Sequence, residues 1–154
     1  MSNSYFKWTV FLLSIFIGSQ CKTYKNQDKA IRDYFSGQCI DFNFEHGLII
    51  IIPMEGCSDC IESTLSYVRN SNILGKGNAV VIISDFYGWS IRKNFPDFEN
   101  SKKYLIADSV GMMYSLGLVF NSPVVYYYEN GTIIKRIVIH SVNIDSIYRA
   151  IQAF

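Results

Sequence analysis

The run Leu48-Ile49-Ile50-Ile51-Ile52, closed by Pro53, constrains the fold more than any other stretch of this chain. Successive aliphatic side chains leave the backbone no polar face to turn towards water. A run this short, rich in β-branched residues and ended by proline, reads as a strand covered on both faces, as in the interior of a sheet with helices on either side. Ala79-Val80-Val81-Ile82-Ile83 repeats the pattern after Gly75 and Gly77. Between the two runs, Ile61, Leu65 and Val68 recur at helical spacing. They predict a helix from about Ser58 to Arg69 whose apolar face packs on the first strand.

The remaining elements follow from local signals. Ile40, Phe42 and Phe44 alternate with polar residues, the period of a half-buried edge strand. Tyr104 to Ala107 reads as a short strand, and Asp108 or Ser109 is a candidate cap for a helix through Met112, Met113 and Leu116. Val124 to Tyr128 and Thr132 to Ile139 form two β-rich runs joined at Asn130-Gly131, a pair that tolerates positive φ at both central positions of a tight hairpin. Ile144, Ile147, Tyr148 and Ile151 mark a last helix, capped by Ser141 or Asn143. Alternation within Tyr126-Tyr127-Tyr128 puts the middle ring on the face opposite the other two, so these rings are read as sheet packing. Phe86, Tyr87 and Trp89 are read as lining a groove or covering the sheet edge, in a segment from Phe86 to Phe98 in which Pro96 ends any helix.

Strand, helix, strand, helix, hairpin and helix describe an α/β fold of three layers. A length of 154 residues, 49% of them hydrophobic, suits one core rather than two. The 14 basic and 13 acidic side chains form no cationic cluster, which argues against nucleic acid as a partner.

The N-terminus belongs to another category. Lys7 precedes an apolar stretch from Trp8 to Gly18, the layout of an export signal. Cys21 follows Gly18-Ser19-Gln20, so the segment resembles a bacterial lipoprotein signal, which implies lipidation of Cys21 and a membrane anchor. Residues 1–20 are read as the signal, 21–37 as a polar tether or short surface helix, and 38–154 as the folded domain. Loss of Lys7 with the signal would leave a formal charge of zero on the mature chain, and electrostatic steering of partners would be weak.

Chemistry concentrates at Cys57-Ser58-Asp59-Cys60, where the first strand gives way to the helix. Unpaired N–H groups and the positive end of the helix dipole favour a thiolate on the first cysteine, and a thiol three residues on can close a disulfide with it. The spacing alone permits a zinc site, a structural disulfide or a redox couple. Zinc normally needs four ligands, and there is neither a second CxxC nor a paired histidine, only the isolated His46 and His140, read as surface or capping residues. Export leaves the structural disulfide open. In a redox couple Cys57 is the attacking thiolate and Cys60 the resolving thiol. The charge of Asp59, next to Ser58 within the motif, opposes thiolate formation, which stabilises the disulfide and points to a reductant. Asp59 reads equally well as helix-dipole compensation. Cys39 is read as a core residue.

The strand, the Cys57-Ser58-Asp59-Cys60 helix start and the later Ser122-Pro123 before a hairpin resemble the thioredoxin fold, a three-layer α/β/α sandwich around a mixed sheet. From about Ile40 to Phe154, including Asp108-Ser109-Val110, Tyr114, Leu118, Tyr127 and Gly131, the chain is most similar to exported, membrane-anchored TlpA-type thiol-disulfide oxidoreductases. The resemblance implies a redox-active Cys57–Cys60 disulfide with no other cofactor and no metal. It also implies a cis peptide before Pro123, with the Ser122 backbone presented to substrate, and a redox-tuning role for Glu62. The implied partners are disulfide-containing envelope proteins and an upstream thiol-disulfide electron donor, on the periplasmic side of the cell envelope. Two features depart from the family: Gly56 stands where thioredoxins carry Trp, and the Leu48–Ile52 strand has no buried acid. Those departures keep open a non-catalytic binding module with a structural disulfide. A peroxiredoxin-like peroxidase shares the fold, but the threonine its motif requires before the cysteine is missing between Pro53 and Cys57.

Overall fold

The computed structural model describes residues 24–38, 40, 45–74, 78–84, 95 and 104–153. The expectations for the signal, Cys21, Cys39, the alternation beyond Ile40 and Phe86-Tyr87-Trp89 lie outside them. A helix, α1, spans 24–37 and is followed by strand β1, His46–Pro53, and helix α2, Ser58–Asn70. Strands β2, Ala79–Ser84, and β3, Leu105–Ala107, precede a one-turn helix α3, Met112–Ser115. The hairpin β4, Val124–Glu129, and β5, Thr132–Val138, leads into helix α4, Ile144–Ala153.

The five strands form one mixed sheet in the order β3-β2-β1-β4-β5. β1 runs parallel to β2, and β2 to β3, while β4 is antiparallel to both β1 and β5. The aliphatic run is thus the central strand, and its alternate residues divide two cores. Leu48, Ile50 and Ile52 pack with Ile61, Leu65 and Val68 of α2 and Ile147 and Ile151 of α4. Ile49 and Ile51 pack on the other face with Ile31, Tyr34 and Phe35 of α1 and Met113 of α3. Tyr127 faces the first core, and Tyr126 and Tyr128 face the second, as their alternation predicts.

Of the two readings for residues 21–37, a tether or a short surface helix, the structure has a helix over 24–37, but one packed on the sheet rather than standing off it. Ile31, Tyr34 and Phe35, at i, i+3 and i+4, are fully buried against the sheet, so this helix is part of the fold. Its many charged residues occupy the outer face, where Asp28–Arg32 and Lys29–Asp33 form exposed ion pairs, and Arg32 also donates to the Gly131 carbonyl. At the hairpin, Asn130 and Gly131 take φ of 51° and 70°, as the turn requires. Among the described residues no helix is long and apolar enough to cross a membrane.

Candidate redox site

Cys57 is the N-cap of α2, and its sulfur is bonded to that of Cys60, with Cα atoms 5.3 Å apart. The two cysteines are not equivalent. Cys60 is 1% exposed and sits one turn inside the helix against the sheet, whereas Cys57 is half-buried at the rim. Ser58 and Asp59 between them are exposed, and Asp59 lies in the first turn, where its charge meets the positive end of the helix. Glu62 is exposed and lines an open groove of about 700 Å³ between α2 and α4, together with Tyr67, Arg69, Asp145 and Tyr148.

Hydrogen bonds tie Cys60 to α4. The Tyr148 hydroxyl donates to Thr64 Oγ1 at 3.2 Å, and Thr64, 1% exposed, donates to the Cys60 carbonyl at 2.6 Å. Tyr148 also stacks on Tyr67 with ring centroids 4.1 Å apart. These contacts join the middle of α4 to α2 one turn beyond Cys60.

The loop before β4 closes on the motif from the other side. The Cys57 N–H donates to the Asn121 carbonyl at 2.7 Å. Gly56, at φ 120°, is what permits this approach: a Cβ there would lie 2.6 Å from Asn121 Cα and 2.7 Å from its carbonyl carbon. No side chain fits in that gap. The absence of an aromatic before the first cysteine thus has a steric cause, namely that backbone occupies its place. The same loop is braced from beneath, where the buried Tyr126 hydroxyl donates to the Leu118 carbonyl at 2.7 Å and receives Arg136 Nε at 3.3 Å. Burial holds the Tyr126 hydroxyl above the ordinary tyrosine pKa, against the opposing pull of Arg136, so it remains a donor.

Ser122 is half-buried and Pro123 buried, at the end of the sheet that carries the motif. The cis peptide expected before Pro123 is not found. That bond is trans, and no cis peptide occurs among the described residues. Trans is the lower-energy isomer of X–Pro by about 0.5–1 kcal/mol. The Pro123 carbonyl accepts the Ile139 N–H at 2.8 Å, so the residue enters β4 as ordinary strand backbone.

Two residues proved more important here than the sequence indicated. Asn121 carries no side-chain signal, because it acts through its carbonyl. Asp108, read only as a helix cap, is 1% exposed and accepts from the Ser84 hydroxyl at 2.7 Å and from the Met112 and Met113 N–H groups at 2.9 Å each. It locks the ends of β2 and β3 to α3, while Ser109 is exposed. His140 is exposed, and its N–H is taken by Asn143 Oδ1. Among the described residues no three His, Cys, Asp or Glu side chains gather as a metal site would need. Compared with known proteins, the chain matches no family model and no curated sequence.

Proposed function

We propose that this protein is a thioredoxin-fold thiol-disulfide oxidoreductase of the TlpA type, exported and anchored to the envelope membrane through lipid on Cys21. It would exchange electrons with protein disulfides through Cys57 and Cys60. The observation that carries the reading is the asymmetry of the pair: a half-exposed Cys57 at the helix N-cap and a buried Cys60 one turn inside. A disulfide that only staples the fold has no need of an accessible sulfur at a helix start. The sheet order, with parallel β3, β2 and β1 flanked by antiparallel β4 and β5, supports the same fold assignment.

In the dithiol form the Cys57 thiolate attacks one sulfur of a partner disulfide. The partner's S–S bond breaks, its leaving thiolate takes up a proton, and a mixed disulfide links the proteins. Cys60 then loses its proton and attacks Cys57 Sγ, which closes the intramolecular disulfide and releases the second partner thiol. Two electrons have passed to the partner, and an upstream dithiol returns them. The exposed carboxylate of Asp59 disfavours the Cys57 thiolate, which stabilises the disulfide and biases the couple towards reduction of partners. Ser58 shares the exposed rim with Asp59, Glu62 is assigned a tuning role from one turn further on, and the Ser122 backbone ahead of Pro123 is assigned to substrate binding.

Equilibration with glutathione redox buffers tests the reading. A reversible couple near the thioredoxin value of about −270 mV is expected. Cys60→Ser should accumulate mixed disulfides and Cys57→Ser should form none. A Cys57–Cys60 bond that never interconverts would instead identify a binding module with a structural staple.

A further inference from the structure

Among the described residues the exposed large apolar side chains are Val110, Leu116, Phe120, Ile134 and Val142. All but Ile134 lie at one end of the sheet. Val110 follows β3, Leu116 and Phe120 belong to the segment before β4, and Val142 lies between β5 and α4. The register brings Ile51, Val124 and Val138 into line, so the end of β1, the start of β4 and the end of β5 coincide. That is the end from which Cys57 projects.

Phe120 is the member of this set most closely joined to the disulfide. Its chain neighbour Asn121 accepts the Cys57 N–H at 2.7 Å, and its other anchor, Leu118, is fixed by Tyr126. Phe120 is 59% exposed, and its Cζ lies 3.8 Å from where a Cβ on Gly117 would stand, so the ring folds back along the turn. An exposed aromatic side chain held on braced backbone, next in the chain to the residue whose carbonyl accepts the Cys57 N–H, costs little entropy when it is covered. Close to Cys57 along the chain the exposed charges are Glu55 and Asp59, and no Lys or Arg occurs from Gly47 to Val68.

We propose that Phe120, with Leu116, is the specificity-determining contact of the exchange site, receiving an apolar side chain next to the partner's cysteine. The preferred partner is an extended polypeptide whose cysteine carries an apolar neighbour and whose flanks are basic, complementing Glu55 and Asp59. This rests on the redox reading of Cys57 and Cys60.

The test uses the reduced full-length protein in detergent and three synthetic peptides, each presented as a mixed disulfide with glutathione. One has Leu beside its cysteine and Lys beyond, one replaces the Leu by Ser, and one replaces the Lys residues by Glu. The Leu and Lys peptide should be reduced on the order of tenfold faster than the Ser peptide, the size that burial of one apolar side chain supports. It should also outpace the Glu peptide, with a margin that shrinks as salt rises. Phe120→Ser should bring the Leu and Ser peptides to equal rates, Phe120→Leu should retain most of the preference, and neither should shift the equilibrium with glutathione. Equal rates in the unmodified protein, or a preference that survives Phe120→Ser combined with Leu116→Ser, would overturn the proposal and leave the redox reading intact. Failure to exchange with glutathione or any peptide would overturn both.

Discussion

Replacing Gly56 by alanine should be among the most damaging single-methyl changes in this protein. The residue sits at φ 120°, a conformation that L side chains rarely adopt, which costs about 1–3 kcal/mol. The added carbon would also meet Asn121 backbone at 2.6–2.7 Å, and backbone does not swing aside as the tip of a flexible side chain can. Overpacking of this kind costs about 1–3 kcal/mol, and a displaced loop forfeits the Cys57 N–H bond to the Asn121 carbonyl, about 1 kcal/mol more. The terms overlap, so the expected loss is roughly 3–5 kcal/mol, a large share of a stability of about 5–15 kcal/mol. Urea unfolding of the oxidised protein, followed by circular dichroism, measures it. Gly37→Ala is the control, since nothing lies within 4 Å of its added carbon and no strained φ is involved. That variant should unfold within about 0.5 kcal/mol of the parent. Amide exchange on the parent gives a second reading, in which the Cys57 N–H should be protected. A Gly56→Ala protein as stable as the control, or a freely exchanging Cys57 amide, would show that Asn121 does not rest on Gly56.

Asp108→Ala should cost about 2–4 kcal/mol in the same assay, because it leaves the Ser84 hydroxyl and two α3 N–H groups without their buried acceptor. An effect below 1 kcal/mol would mean that water replaces the carboxylate. Alkaline pH should destabilise the fold through its tyrosines. Desolvation raises the pKa values of Tyr34, Tyr126, Tyr127 and Tyr128 above the ordinary tyrosine value, with nearby Asp108 adding to the rise at Tyr34 and Asp28 at Tyr128. Because the folded values lie above the unfolded ones, their contribution is complete below about pH 10 and is lost as pH rises through the folded values. Tyrosinate absorbance for these rings should therefore grow in only with unfolding, and normal titration in the native protein would refute the assignment of these rings to the core.

The sheet was legible because its pattern is written in side chains. Two unbroken aliphatic runs identified the central strands, the period of Ile61, Leu65 and Val68 identified α2, and Asn130-Gly131 identified the hairpin turn. The Cys57–Cys60 pair was equally visible, since two thiols three residues apart at a helix start can close a disulfide. What escaped were contacts made by backbone. Nothing in the Asn121 side chain announces that its carbonyl caps Cys57, and Gly56 read as a missing aromatic until the neighbouring chain was seen to fill its place. Helix 24–37 was left outside the folded domain because of its charged residues, although the buried stripe of Ile31, Tyr34 and Phe35 was present in the spacing. The trans Ser122–Pro123 bond went against an expectation that rested on resemblance alone.

The central position of β1 also sets an order of events. Its partner β4 lies roughly 70 residues further along the chain, so the sheet cannot close during synthesis or passage across a membrane until the hairpin has followed. Cys57 and Cys60 emerge well before Asn121, and the bond between them closes a loop too short to need the rest of the fold. For that interval the pair is chemically open, a nascent thiol couple without its covering loop. The disulfide can therefore form before the sheet that buries Cys60 is complete.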